Sequence, residues 1–134
     1  MKANTEIVYQ HFRKCKTVST DSRQVVPGTL FFALRGDNFN GNDFALETLE
    51  KGAGFAVVDD SSLPHHDRLL LVEDSLKTLQ EISMMHRRSL KIPVIGITGT
   101  NGKTTTKELI SAVLAKKFRV VSTKGNLNNH IGVP

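Results

Sequence analysis

Residues 94–105 read Val-Ile-Gly-Ile-Thr-Gly-Thr-Asn-Gly-Lys-Thr-Thr, an apolar segment that leads directly into a glycine-rich turn. The apolar run over residues 92–97 predicts a buried β-strand, and the turn would present Lys103 at the start of a helix. Gly99 and Gly102 permit backbone conformations that are closed to residues with a Cβ, so successive N–H groups can converge on an anion at the helix N-terminus. The stretch therefore predicts an α/β protein that binds phosphate at this loop.

The loop is a variant of the general nucleotide-binding pattern G-x-x-x-x-G-K-[ST]. Ile97 stands five positions before Gly102, where that pattern has glycine. Lys103 would reach the outer phosphates of a nucleotide, and the Thr104 hydroxyl would ligate Mg²⁺. An ordinary glycine-bearing loop is the alternative interpretation. The predicted nucleotide-binding residues of the loop are Gly99, Thr100, Asn101, Gly102, Lys103, Thr104 and Thr105.

The segment after the loop has the spacing of an amphipathic helix that packs one face on a sheet. Residues 118–122 follow as a strand-like segment. A parallel nucleotide-binding sheet needs several more βα units than this, so we expect residues 91–134 to be the truncated start of a domain. The predicted inner face of the helix consists of Leu109, Ile110, Val113, Leu114 and Lys117.

Helix and strand signals alternate along residues 1–90, which predicts a small α/β sandwich as a separate first domain. The charge changes at the same boundary: residues 1–90 carry 11 Lys and Arg against 12 Asp and Glu, whereas residues 91–134 carry 7 against 1. The predicted helices cover residues 5–12, capped by Thr5, and residues 43–51 and 74–88; the predicted strands cover residues 29–34, 55–58 and 69–72; residues 36–42 form a polar loop.

Composition argues against disulfide-linked, membrane-inserted and nucleic-acid-binding classes of protein. Cys15 is the single cysteine, which excludes an intramolecular disulfide and suits a reducing cytoplasm. The sequence shows neither a signal peptide nor a segment of transmembrane length, so we expect no membrane insertion. The basic excess raises a nucleic-acid surface as an alternative, but one Tyr and no Trp offer little for base stacking. We therefore expect no nucleic-acid partner.

His86 lies on the apolar side of its predicted helix, and we expect it to be a packed side chain.

Strings along nearly the whole chain resemble the Mur ligases. The loop over residues 96–106 is similar to their ATP-binding sequence, which folylpolyglutamate synthetases share. The strings that resemble the N-terminal domain are Thr20-Asp21-Ser22-Arg23, Pro27-Gly28-x-Leu30-Phe31-Phe32-Ala33-Leu34-x-Gly36, Asn40-Gly41-x-x-Phe44 and Gly52-Ala53. The string Gly125-Asn126-Leu127-Asn128-Asn129-x-Ile131-Gly132-x-Pro134 is similar to the member that adds D-alanyl-D-alanine.

The resemblance implies a small N-terminal α/β domain over residues 1–90 that binds a UDP-sugar substrate. Residues 91–134 would then be the first βαβ unit of a P-loop ATPase domain. The implied reaction uses ATP and Mg²⁺ to form an acyl phosphate on a UDP-N-acetylmuramoyl-tripeptide, which the amine of D-alanyl-D-alanine attacks. Lys103 would be the catalytic residue, because cationic groups must neutralise the phosphoryl group as it transfers.

The resemblance also assigns further contacts. Ser22, Arg23, Asn40 and Gly41 match positions that bind the UDP-sugar. A second set, Asn126, Asn128 and Asn129, would lie near the nucleotide, with a polar turn as the alternative. The whole enzyme is expected to be a cytoplasmic monomer, and this chain by itself is expected to be inactive.

Two other functions stay open. One is the sibling Mur ligase that adds the third amino acid, and the double-Asn string favours the D-alanyl-D-alanine enzyme over it. The other is a non-catalytic module that binds a nucleotide sugar.

Overall fold

The computed structural model describes residues 2–123 and 129–133. The chain divides into two compact units, Met1–Arg88 and Ser89–Pro134. In the part of the chain that the structure describes, no helix is both long and apolar enough to cross a membrane.

The first unit is built on a four-stranded parallel sheet. In chain order its elements are α1 Thr5–Phe12, β1 Thr17–Ser19, β2 Thr29–Phe32, β3 Arg35–Gly36, β4 Phe39–Asn40, α2 Ala45–Glu50, β5 Phe55–Val58, β6 Leu69–Leu71 and α3 Ser75–Ser89, with 3₁₀ turns at Ser22–Gln24 and Gly41–Phe44. The strand order in the sheet is β1-β2-β5-β6, and β3 and β4 form a separate antiparallel ribbon. All carboxyl ends of the parallel strands therefore lie at one edge of the sheet.

Side chains of the two central strands alternate between the faces of the sheet. On one face Phe31 and Val58 pack with Leu49 of α2, and all three are buried. Leu30 and Val57 are adjacent in sequence to these and point to the opposite face, where both are fully buried. Every residue of β2 is buried, as expected for a central parallel strand that is covered on both faces.

Helices α1 and α3 cover the face opposite α2. The ring of His11 in α1 lies 4.1 Å from the ring of Phe55 in β5. His86 of α3 meets Phe12 of α1 edge-on, with ring centroids 5.0 Å apart, so the prediction of a packed histidine is confirmed. Thr5 also donates a hydrogen bond to Glu81 across the two helices. The α/β class predicted from the sequence is confirmed, and this unit is a three-layer α/β/α sandwich.

Three local predictions for this unit were wrong. The side chain of Asn4, and not that of Thr5, caps α1 by accepting from the N–H of Ile7 at 2.9 Å. The polar loop over residues 36–42 contains the β3–β4 ribbon, because the Gly36 backbone pairs with Phe39. The helix predicted over residues 43–51 is shorter, because a 3₁₀ turn over Gly41–Phe44 precedes α2 Ala45–Glu50. The Asn40 side chain accepts hydrogen bonds from Asn42 and so holds this turn.

Among the described residues of the second unit there is one helix, α4 Lys103–Leu114. The prediction of a buried strand at residues 92–97 was wrong, because Val94 and Ile95 are 60% and 59% exposed. No strand pairing occurs at residues 92–97 or 118–122 within the described range. A parallel strand is buried only where neighbouring strands pair with its edges and helices cover its faces.

The apolar face predicted for α4 is only partly correct. Ile110 and Leu114 are half-buried, whereas Leu109 and Val113 are 63% and 71% exposed. An amphipathic helix buries its whole apolar stripe only against a sheet or another helix. The second unit therefore presents apolar side chains to solvent.

Replacement of Phe31 tests the core of the first unit. We expect Phe31→Ala to lower the free energy of unfolding by about 3–5 kcal/mol, because it removes a buried ring and leaves a cavity. The matched control Phe39→Ala removes a ring that is 56% exposed, and it should cost far less. Urea denaturation followed by circular dichroism measures both; equal losses would contradict this account of the core.

Candidate functional site

The phosphate-binding loop predicted from the sequence leads into α4 through two glycines with positive φ. Gly102 has φ 75° and is the N-cap of α4, and Gly99 has φ 148°. A Cβ on Gly102 would meet no atom within 4 Å, so the backbone conformation and not crowding requires glycine there. The open space around the turn is also what allows a ligand to approach its backbone.

Lys103 is the first residue of α4, and its side chain folds back over the loop. Its ammonium donates to the carbonyl of Gly99 and, at 3.4 Å, to that of Thr100. The ammonium is therefore held beside the loop backbone.

The start of α4 favours an anion for two reasons. An α-helix leaves its first N–H groups without intrahelical acceptors and carries a partial positive charge at that end. The first turn of α4, which lies within the described residues, contains no acidic side chain to compensate this charge. Thr104 and Thr105 lie in this turn.

Asn129 forms a turn at the end of the described chain. Its side-chain oxygen accepts from the N–H groups of Ile131 at 3.1 Å and Gly132 at 2.7 Å. This geometry supports the polar-turn interpretation of Asn129. The other two predicted residues of this string, Asn126 and Asn128, lie outside the described residues.

Ser22 and Arg23 lie in the 3₁₀ turn that follows β1. The guanidinium of Arg23 makes two hydrogen bonds to the Asp21 carboxylate, at 2.9 and 2.8 Å, and 85% of the Arg23 side chain is exposed. The bonds from Arg23 hold the pKa of the Asp21 carboxyl well below its usual range. The Ser22 carbonyl accepts from Lys51 at 3.5 Å, so a second cation lies next to this turn.

Asn40 and Gly41 form the turn that follows the β3–β4 ribbon. Gly41 donates to the Leu34 carbonyl at 2.8 Å, and a Cβ at this position would lie 2.6 Å from that oxygen. The Asn40 side chain accepts from Asn42 and donates to Asp43 at 3.1 Å. Gly41 is therefore required for close packing of the turn on the end of β2, and Asn40 shapes the turn.

A cluster centred on Asp59 was missed by the sequence analysis. Its carboxylate accepts from Arg35 Nε at 2.9 Å, from Asn42 Nδ2 at 2.9 Å and from the N–H of Ser75 at 3.2 Å. Burial opposes ionisation, but these three hydrogen bonds outweigh it and lower the pKa of Asp59. The available signal was a carboxylate directly after the apolar strand at residues 55–58.

The sheet order relates these segments to one another. Ser22 and Arg23 follow β1, Asn40 and Gly41 follow the end of β2, and Asp59 follows β5. These three strands are neighbours, and ligands of open parallel sheets bind beyond the carboxyl ends of the strands. The first unit therefore has a polar edge suited to a ligand, and the phosphate loop belongs to the second unit.

Acidification tests the charge on Asp59. A carboxylate with a lowered folded-state pKa adds stability above its unfolded-state pKa of about 3.9 and loses that stability as the pH falls through the folded-state value. We expect the free energy of unfolding of the parent to fall more between about pH 5 and pH 2 than that of Asp59→Asn. Urea titrations at each pH measure this, and parallel pH profiles would contradict it.

Known proteins are similar to this chain in sequence and in structure. The model of the Mur ligase middle domain matches residues 97–134. UDP-N-acetylmuramoyl-tripeptide–D-alanyl-D-alanine ligases from Bacillus subtilis and Synechocystis are 43% and 46% identical to the chain over 87% and 90% of its length. A MurF ligase from Thermotoga maritima, solved in complex with ADP, is 35% identical over 87% of the chain, with a TM-score of 0.77.

The chain spans about a quarter of the length of these relatives, with 26% of the Bacillus subtilis protein and 27% of the Thermotoga maritima chain covered. Both units contribute to the similarity, because the matches extend over most of the 134 residues. Over most of its own length, the chain is therefore similar to Mur ligases.

Proposed function

We propose that this chain provides the UDP-sugar-binding and ATP-phosphate-binding parts of a ligase that adds D-alanyl-D-alanine to a UDP-N-acetylmuramoyl-tripeptide. The names of its relatives support this substrate pair. The observation that carries the proposal is the loop in which Gly102 caps α4 in the left-handed conformation and presents Lys103. The first unit, Met1–Arg88, would bind the UDP-sugar.

Lys103 would act on the phosphoryl group. A carboxylate and a triphosphate are both anionic, so the main barrier to their reaction is electrostatic. The Lys103 ammonium lies beside the loop carbonyls that precede the start of α4, where an anion would bind. Backbone N–H groups from Thr100 to Thr105 would share the remaining charge.

The residues present fit ATP and one ligand of a magnesium ion. The relative solved in complex with ADP supports nucleotide binding. Thr104 would supply one oxygen to Mg²⁺, which usually completes its octahedral shell with waters and phosphate oxygens. When bound, Mg²⁺ would neutralise charge on the phosphates.

Ser22 and Arg23 would hold the diphosphate of the UDP-sugar. Arg23 is exposed and presents a planar guanidinium that suits phosphate oxygens. Asp21 fixes one edge of that guanidinium, and the remaining N–H groups can bind a ligand. Lys51, which is paired with Glu47 at 2.6 Å, lies next to the same turn and would supply a second cation there.

We place this activity in the cytoplasm. A reaction that consumes ATP suits that compartment, and Cys15 is a free thiol, as is usual where disulfides are kept reduced.

The role of Lys103 can be tested in a full-length ligase that carries this chain. We expect Lys103→Ala to reduce kcat by two or more orders of magnitude with little change in KM for the UDP-substrate, because the ammonium acts on charge that develops during transfer. Lys116→Ala is the matched control, since this lysine follows the C-terminal end of α4. Phosphate release measures both variants, and a few-fold effect of Lys103→Ala would contradict the proposal.

The substrate contact can be tested on the chain itself. UDP-N-acetylmuramoyl-tripeptide at about 100 times its dissociation constant should stabilise the parent by about 2.7 kcal/mol. Arg23→Ala should reduce this gain, and Arg23→Lys should restore only part of it, because a lysine cannot form a planar bidentate contact.

Thermal denaturation with and without ligand measures these gains. Arg13→Ala, a change of another exposed arginine, is the control that should bind as the parent does. No shift in the parent, or equal shifts in parent and Arg23→Ala, would contradict the assignment of this turn.

A further inference from the structure

We propose that Asp59 is a positioning residue that holds the turn over residues 40–42 in its substrate-binding shape. Asp59 does not need to contact the ligand for this role. The inference rests on the proposed function, because it concerns the same UDP-sugar site. It adds a residue that lies outside the strings by which the chain resembles the Mur ligases.

Asp59 links the end of β5 to three other segments of the first unit. Its carboxylate accepts from Arg35 of β3, from the side chain of Asn42 in the 3₁₀ turn, and from the first N–H of α3 at Ser75. Its own N–H donates to Asn42 Oδ1 at 3.1 Å. Asp59 and Asn42 therefore exchange two hydrogen bonds, and the end of β5 is tied directly to the turn.

Asn42 connects Asp59 to Asn40, the predicted substrate contact. Only 1% of Asn42 is exposed, and its amide donates both to Asp59 at 2.9 Å and to Asn40 Oδ1 at 2.9 Å. Both N–H groups and the oxygen of Asn42 are thus used inside the fold. The Asn40 side chain can turn only if it loses its bonds to Asn42 and Asp43. Asp59 holds the side chain of Asn42, which makes one of these bonds.

The bonds on Asn40 leave one of its groups for a ligand. Its oxygen accepts from Asn42, and one amide N–H donates to Asp43. The second amide N–H has no partner among residues 2–123 and 129–133. Its direction is set by the bonds that Asn40 makes with Asn42 and Asp43, and Asp59 contributes by holding the Asn42 side chain.

A carboxylate is required because the site offers only donors. Arg35, Asn42 and Ser75 present three N–H groups to the two oxygens of Asp59. An asparagine has one acceptor oxygen and two N–H groups, so at least one buried donor would face another donor. An unsatisfied pair of this kind is expected to displace the nearest movable segment, which is the turn.

The experiment compares Asp59→Asn with Asp60→Asn in the whole chain. Asp60 is the neighbouring carboxylate, and its main partner is Ser62 and not the turn. We expect Asp59→Asn to weaken binding of UDP-N-acetylmuramoyl-tripeptide by about tenfold or more, as measured by calorimetry at a temperature where both variants are fully folded. Asp60→Asn should bind within twofold of the parent.

A spectroscopic signature separates positioning from a general loss of stability. In nitrogen–proton correlation spectra, Asp59→Asn should move the side-chain amide signals of Asn40 and Asn42 and the backbone signal of Gly41. Signals from the Ser22–Gln24 turn should stay in place. Changes spread over the whole first unit, or none at Asn40 and Gly41, would overturn the proposal.

Arg35→Gln covers the case in which Asp59→Asn does not fold. The Arg35 side chain is 53% exposed, so its loss removes one bond to Asp59 without opening the core. We expect a smaller loss of affinity with shifts of the same amide signals. If both folded variants bind as the parent does, Asp59 has no positioning role; if the parent itself does not bind, the proposed function fails as well.

Discussion

Parallel pairing of β2 with both β1 and β5 is the constraint on which the first unit depends. It brings the carboxyl ends of three neighbouring strands to one edge, although the segments that follow them are far apart in sequence. It also buries β2 on both faces, which explains why that strand is apolar except for Thr29. The polar groups of the candidate substrate site lie at that edge because the strands end there.

Asn42 and Asp59 at this edge satisfy one another's hydrogen-bonding groups. Asn42 and Asp59 make reciprocal bonds, and Arg35 adds a charge-assisted bond to the same carboxylate. Unpaired, these groups would cost several kcal/mol of desolvation. Paired, they link short segments that have little regular structure of their own. The fold and the shape of the site are therefore stabilised by the same few bonds.

The sequence predicted the features that depend on local patterns. The strand at residues 55–58, the left-handed glycines before Lys103 and the α/β class follow from apolar runs and glycine spacing, and the structure contains them. The Asp59 cluster could not be predicted in the same way, because its partners lie up to 24 residues away and meet only through the sheet order. The cap at Asn4 was missed because Thr5, the next residue, is also a preferred capping residue type. The burial predicted for residues 92–97 depended on neighbouring strands, and an apolar run carries no information about those.

The bonds that Lys103 makes to its own loop affect the free energy with which an anion binds there. Lys103 already donates to two backbone carbonyls, so a phosphate oxygen replaces existing acceptors and does not meet a fully hydrated ammonium. The favourable free energy of binding is the difference between a hydrogen bond to a charged acceptor and one to a neutral acceptor. The side chain of Lys103 is already held, so it loses little conformational entropy in the exchange. Such a loop discriminates by ligand charge, since a neutral ligand offers the ammonium no better acceptor than the one it leaves.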